Sequence, residues 1–127
     1  MPQLASVTLT DSALANHVYT PMSVLGAVST LTERTGAPIG DPSITVSLKE
    51  PRNGASLFKS RVTFKVPEVI TVDGVDKVDF TTSFFLDVVS SDRATEAQIV
   101  SHIAQFVGLL TTGTIVYDGI TKREPLY

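Results

Sequence analysis

The stretch Lys59-Ser60-Arg61-Val62-Thr63-Phe64-Lys65-Val66 decides the fold. Its side chains alternate with a period of two. Val62, Phe64 and Val66 fall on one side, and Lys59, Arg61, Thr63 and Lys65 on the other. A strand of this kind has one face against a core and one in water. Immediately upstream, Ser43-Ile44-Thr45-Val46-Ser47-Leu48-Lys49 alternates the same way, and Pro51-Arg52-Asn53-Gly54 between the two reads as a hairpin turn. Downstream, Asp73-Gly74 is a turn signal inside an expected loop over Ile70–Val78. Asp76 to Val89 then reads as a long strand. Its Val78, Phe80, Phe84, Leu86 and Val88 share one face; Lys77, Asp79, Thr81, Ser83, Phe85 and Asp87 share the other.

Towards the amino terminus the pattern weakens. Ala5 to Thr10 alternates, breaks at Asp11-Ser12 and resumes near His17-Val18-Tyr19. Pro21 to Ala37 is ambiguous, with Val24-Leu25 and Val28-Ser29-Thr30-Leu31 suggesting a short strand before the Gly36–Pro42 turn cluster. After Ser90 the period lengthens. Ile99, Ile103, Phe106 and Leu110, joined by Val100 and Val107, follow helical spacing, and Gly113 is a plausible stop. Ser91 or Asp92 can cap this helix, and Thr95-Glu96-Ala97-Gln98 fits a capping box one turn later. A second, short helix is expected over Ile115–Lys122. The fold class is therefore α+β: five or six antiparallel strands over about residues 5–89, then one long and one short helix over about 92–122. A single domain over residues 1–127 is expected, since domains usually run to about 100–150 residues.

Apolar content of 43% and charged content of 18% are those of a globular chain. No apolar run approaches the roughly 20 residues that cross a bilayer, so no membrane partner is expected. Met1-Pro2-Gln3-Leu4 has neither a basic nor a long apolar segment, so no signal peptide is expected. The absence of cysteine excludes disulfides, zinc–thiolate sites and thiol nucleophiles, and fits assembly in a reducing cytoplasm. The net charge of −3 argues against coating nucleic acid by sheer positive charge. Yet five of the ten basic residues (Lys49, Arg52, Lys59, Arg61, Lys65) fall between positions 49 and 65, where Glu50 is the one acid. Such a stripe can hold phosphates locally, because screening confines charge to about a Debye length. Read blandly, it is a pair of strands with solvated lysines.

No enzymatic chemistry is expected. His102 stands next to Ser101 on a helix, where adjacent side chains point to different faces and cannot form a nucleophile–base pair. His17 is remote in sequence. Asp73, Asp76 and Asp79 are spaced loosely like calcium ligands but lack the loop pattern and its terminal Glu. Phosphate-binding loops, dinucleotide fingerprints and Gly-x-Ser-x-Gly are absent. No metal or cofactor is expected.

The plan implies a partner. Five or six strands at about 4.8 Å spacing make a sheet roughly 24–29 Å wide, and a helix is only about 10–12 Å across. One long and one short helix cannot cover it, and soluble monomers rarely leave more than a few hundred Å² of contiguous apolar surface bare. A two-fold homodimer in which each chain's helices lie on the other's sheet solves this and pairs an exposed sheet edge. The opposite face then presents Thr45, Ser47 and Lys49, then Lys59, Arg61, Thr63 and Lys65, then Phe85 and Asp87. Hydroxyls, cations and an aromatic suit phosphate contacts and the stacking of an unpaired base. Phe85 fits equally a place under a loop or at a subunit contact.

At this point the chain resembles a known family, the coat proteins of single-stranded RNA bacteriophages (leviviruses), and the allolevivirus branch most. Val7-Thr8-Leu9 is similar to the family's opening strand, and Gly26-Ala27-Val28-Ser29 to its Gly-Val-Ala segment. Ile44-Thr45-Val46-Ser47 resembles a Val-Thr-Val-Ser strand, with Pro51-Arg52-Asn53 in the turn. Lys65-Val66-Pro67-Glu68-Val69 resembles Val-x-Val-Pro-x-Val, and Phe85-Leu86-Asp87-Val88 resembles Tyr-Ala-Asp-Val. Gly108-Leu109-Leu110 and the closing Pro125-Leu126-Tyr127 resemble a late leucine pair and a Pro-Ala-Tyr ending. The resemblance spans nearly the whole chain and rests on order and spacing rather than any one motif.

The resemblance implies an interlocked homodimer with a ten-stranded sheet facing the particle interior, helices outside, and a T=3 icosahedral shell found in the virion. It also implies an RNA hairpin that packages the genome and represses replicase translation. Carried over by position, RNA-contacting residues are Thr45, Ser47, Lys59, Arg61, Thr63, Lys65, Phe85 and Asp87. Lys49 joins them from its place on the polar face, and Lys59, Arg61 and Lys65 are expected to neutralise phosphates. The family's stacking tyrosine corresponds to Phe85, although an ungapped count back from Gly108 places Ser83 there. The Ile70–Val78 loop would make the five-fold and quasi-six-fold contacts, with Gly74 permitting two conformations. The alternative is a dimeric RNA-binding regulator that builds no shell.

Overall fold

The computed structural model describes residues 4–25, 28–34, 38–49, 56–111 and 113–125. They fall into two compact units, one ending at Val89 and one beginning at Ser90. The first is a sheet. Strands β1 (Val7–Thr10), β2 (Asn16–Leu25), β3 (Val28–Thr32), β4 (Ser43–Lys49), β5 (Leu57–Val72) and β6 (Val75–Ser91) lie side by side in chain order. The four pairings from β1 to β5 are antiparallel. A short 3-10 turn, Pro38–Gly40, precedes β4. The second unit holds α1 (Glu96–Leu109) and α2 (Ile115–Lys122). This is the expected α+β order, with six strands.

The ambiguous segment resolves into two strands for reasons of pairing. β2 pairs β1 as far as Val7 opposite Tyr19, and pairs β3 from Thr20 opposite Thr32 onward. Pro21, which lacks an N–H, therefore sits where the β1 side of the strand has no partner, and the register shifts between Pro21 and Ser23.

The expected loop over Ile70–Val78 is not a loop. β5 runs on to Val72 and β6 starts at Val75, so the connection is Asp73 and Gly74 alone. Their φ values of +52° and +78° are both positive, the mark of a type I′ hairpin turn, whose twist matches that of the strands it joins. β5 survives Pro67 because its pairing with β4 ends at Ser43 opposite Lys65, leaving that side of the strand free of β4. Thr71 also donates a 2.6 Å hydrogen bond to Asp76 across the turn. The Pro51–Gly54 turn, Glu50, Arg52 and Gly36 lie outside the described residues.

Register fixes the two faces. Val46 opposes Val62 and Ile44 opposes Phe64, with Leu31 opposite Ile44 on the next strand. On this apolar face Tyr19 meets Phe64 edge-on at 5.9 Å, and Phe64 stacks on Phe84 at 5.9 Å. Tyr19 and Leu31 are buried, each 3% exposed, and so is Pro42. Phe80 and Phe84 on β6 remain about half exposed. α1 starts at the Thr95 capping box: Thr95 accepts from the Gln98 N–H, and the Gln98 side chain accepts from the Thr95 N–H. No residue of either helix is buried.

Candidate nucleic-acid interface

The face opposite the aromatic cluster is built by β3, β4, β5 and β6. Pairing places Ser43 across from Lys65, Thr45 across from Thr63, Ser47 across from Arg61 and Lys49 across from Lys59. Seven of the nine residues expected to contact RNA thus form one two-strand ladder on a single face. Asp87 joins them through Arg61: Arg61 Nε and Nη2 donate to the two carboxylate oxygens of Asp87 at 2.6 and 3.0 Å. Phe84 packs on the apolar face, so Phe85 and Ser83, its neighbours in the alternation, belong to the polar face. Phe85 is 66% exposed.

Two positions on this face escape the sequence pattern. Thr30 lies opposite Thr45 and Thr32 opposite Ser43. The segment carrying them has hydroxyls on both faces, so alternation gives no clean signal there. Thr32 is buried, and its hydroxyl donates to Met22 Sδ at 3.4 Å.

Among the described residues, charge on the face is concentrated and little compensated. Lys49 and Lys59 stand directly opposite one another, a like-charge pair that disfavours the sheet unless an anion lies over it. Among the described residues the one ion pair here is Arg61–Asp87. The hydrogen bonds from Arg61, followed by its charge, hold the Asp87 carboxyl below its usual range. The same contacts raise Arg61. A cleft of about 350 Å³ opens beside the pair, bordered by Ser47, Lys49, Lys59, Arg61 and Asp87.

His17 lies at the other end of the sheet. Its Nε2 is 2.8 Å from Asp11 Oδ2 and its Nδ1 is 3.0 Å from both oxygens of Glu33. The carboxylates sit against opposite edges of the ring rather than converging on a common point, so the trio is an ion-paired clamp rather than a set of metal ligands. The sequence reading missed this clamp, because its members lie six and sixteen positions apart and meet only through strand pairing.

The arrangement matches known proteins. The sequence model of the family described as levivirus coat protein matches residues 2–127. The capsid protein of Pseudomonas phage PRR1 is 29% identical over 132 residues, covering 98% of this chain and 99% of that one. Among solved structures, the virus-like particle of Beihai levi-like virus 21 superposes with a TM-score of 0.87 at 16% identity, covering 99% of both chains. An unassembled bacteriophage coat protein dimer, described as RNA-binding, gives 0.67 at 18% identity over 98% of each. The two structures share the fold of a sheet followed by two helices, and the family match runs through both units. The chain belongs to the levivirus coat protein family, a family of structural capsid proteins rather than enzymes.

Proposed function

We propose that this coat protein forms a two-fold dimer whose copies assemble into an icosahedral, T=3-like shell, and that the polar sheet face grips genomic RNA, including a hairpin, on the inside. The observation that carries the RNA reading is the ladder of Thr45, Ser47 and Lys49 against Thr63, Arg61 and Lys59, with two lysines directly opposed. Opposed cations separated by hydroxyls favour a polyanion lying along the strands.

Dimerisation follows from what the single chain leaves bare. On the sheet, a hollow of about 860 Å³ opens between Leu9, Tyr19, Phe64 and Val66, with the Asp11–His17–Glu33 clamp and Glu68 also in its wall. Along α1 and its C-cap, the stripe of Ile103, Phe106 and Leu110 is exposed. A second copy offers each surface the other, completing residues 1–127 as one coat domain. The likeness to a coat protein dimer and to an assembled particle supports this reading.

The test is expression of the chain in bacterial cytoplasm, followed by negative-stain microscopy and nuclease challenge. Uniform hollow particles enclosing nuclease-resistant RNA are expected. Discrete dimers that bind RNA but never close a shell would make the chain a regulator instead.

A further inference from the structure

The forked contact to Asp87 changes what Arg61 has left to offer. A guanidinium carries five N–H groups in one plane. Asp87 occupies the Nε–Nη2 side of the fork. The outer edge, with one hydrogen on Nη1 and one on Nη2, points away from the carboxylate and has no other partner among the described residues. The two groups together are also electrically neutral, so the pair releases few counterions when a strand arrives. Two parallel in-plane donors, fixed in orientation and carrying little net charge, suit a pair of adjacent acceptors on a base edge better than a phosphate.

We propose that Arg61, held by Asp87, reads an RNA base with two adjacent acceptors, while Lys49, Lys59 and Lys65 carry the phosphate contacts. This rests on the polar face being the RNA face. Guanine supplies such a pair at N7 and O6, and unpaired cytosine supplies one at N3 and O2. Adenine sets its amino donor beside N1 and N7, and uracil sets a donor between its two carbonyls, so neither fills both hydrogen bonds. Arg61 and Asp87 both line the 350 Å³ cleft, which leaves room beside the pair for a base. Phe85 stands two positions before Asp87 on the same face, about 7 Å along the strand, and offers a ring for the same base to stack on.

The experiment measures binding of dissociated full-length coat protein to 12-nucleotide uridine tracts. The tracts carry one central guanosine, 7-deazaguanosine, cytidine or adenosine, and binding is followed over a range of salt. Wild type is expected to prefer guanosine or cytidine over adenosine by about 5- to 150-fold, the range of one bidentate base contact. If guanine is the base read, 7-deazaguanosine loses the preference; if cytosine, the preference falls to cytidine alone. Lys59→Ala should flatten the slope of log affinity against log salt by about 0.7. Arg61→Lys should leave the slope unchanged and erase the base preference, since it keeps the charge and loses the fork. Asp87→Asn should do the opposite to the salt response: tighter binding overall, a steeper slope and a weaker preference. Arg61→Ala that flattens the slope as Lys59→Ala does, with base preference intact, would overturn the proposal while leaving the RNA face standing. Lysine variants with unchanged slopes would instead bring down the RNA face itself.

Discussion

An imidazole hydrogen-bonded to carboxylates at both ring nitrogens must be protonated to donate to both, and His17 is placed this way between Asp11 and Glu33. The hydrogen bond to Asp11, then that to Glu33, raises His17 above its usual 6.5, and the bond to His17 lowers Asp11 below its usual 3.8. The sign follows directly. The contribution of His17 is fully present below about pH 6.5 and is lost as pH rises through its raised value. That of Asp11 is present above about pH 3.8 and lost as pH falls through its lowered one. The β1–β2 hairpin should therefore be best held between those limits. Amide exchange of β1 and β2 should accelerate from pH 6 to 9 in the wild type beyond the intrinsic rate, and His17→Gln should remove that extra acceleration. Equal protection factors at both pH values in the wild type would show that the clamp contributes nothing. At this scale the ladder from Thr45 to Lys65 was legible, since alternation alone assigns its face. The pairs Arg61–Asp87 and His17–Glu33 were not, because their members lie 26 and 16 positions apart and meet only once the register between neighbouring strands is set.

The elements show what local sequence can and cannot specify. Thr95-Glu96-Ala97-Gln98 was one of three cap candidates, and it is the one that starts α1, with both reciprocal hydrogen bonds formed. Ser91 serves the turn before it, accepting from the Arg93 N–H. Thr95→Ala should cost about 1 kcal/mol, the usual effect of removing an N-cap, seen as a lower urea midpoint at unchanged m-value. Thr95→Ser keeps the acceptor and should stay within a few tenths of a kcal/mol; an equal loss in both variants would assign the effect to packing of the threonine methyl. Strand boundaries were harder to read. Pro21 opened the stretch that read as ambiguous, yet it and Pro67 both lie in strands at places where a neighbouring strand has ended. Proline forbids a hydrogen bond on one side only, and a sequence does not say which side is occupied. The same limit hid the length of the β5–β6 hairpin: Asp73-Gly74 was recognised as a turn, but the reach of Val69 to Val72 and Val75 to Val78 as paired strands depends on each other.

For the whole molecule, the question is what covers an apolar sheet face that a single chain leaves open. Phe84 marks that face: it stacks on Phe64 and is still 52% exposed. Thr81 lies on the same strand at the opposite parity, on the polar side. The proposed dimer buries the first and not the second, so a carboxylate at each position separates the surfaces. Phe84→Asp would place a charge in the dimer contact with no partner, a cost of several kcal/mol that the contact cannot offset. The variant should elute as monomer or aggregate in size-exclusion chromatography with light scattering, and yield no particles. Thr81→Asp should remain dimeric, with any defect confined to RNA retention, because it adds a negative charge where phosphates are expected. Concentration gives an independent reading: a fold completed by a second copy gains stability as protomer concentration rises, so the melting temperature of unassembled wild type should climb on concentration. Phe84→Asp should show no such climb. A Phe84→Asp protein that stays dimeric and melts like the wild type would mean that the aromatic face is covered from within the chain, and that the partner binds elsewhere.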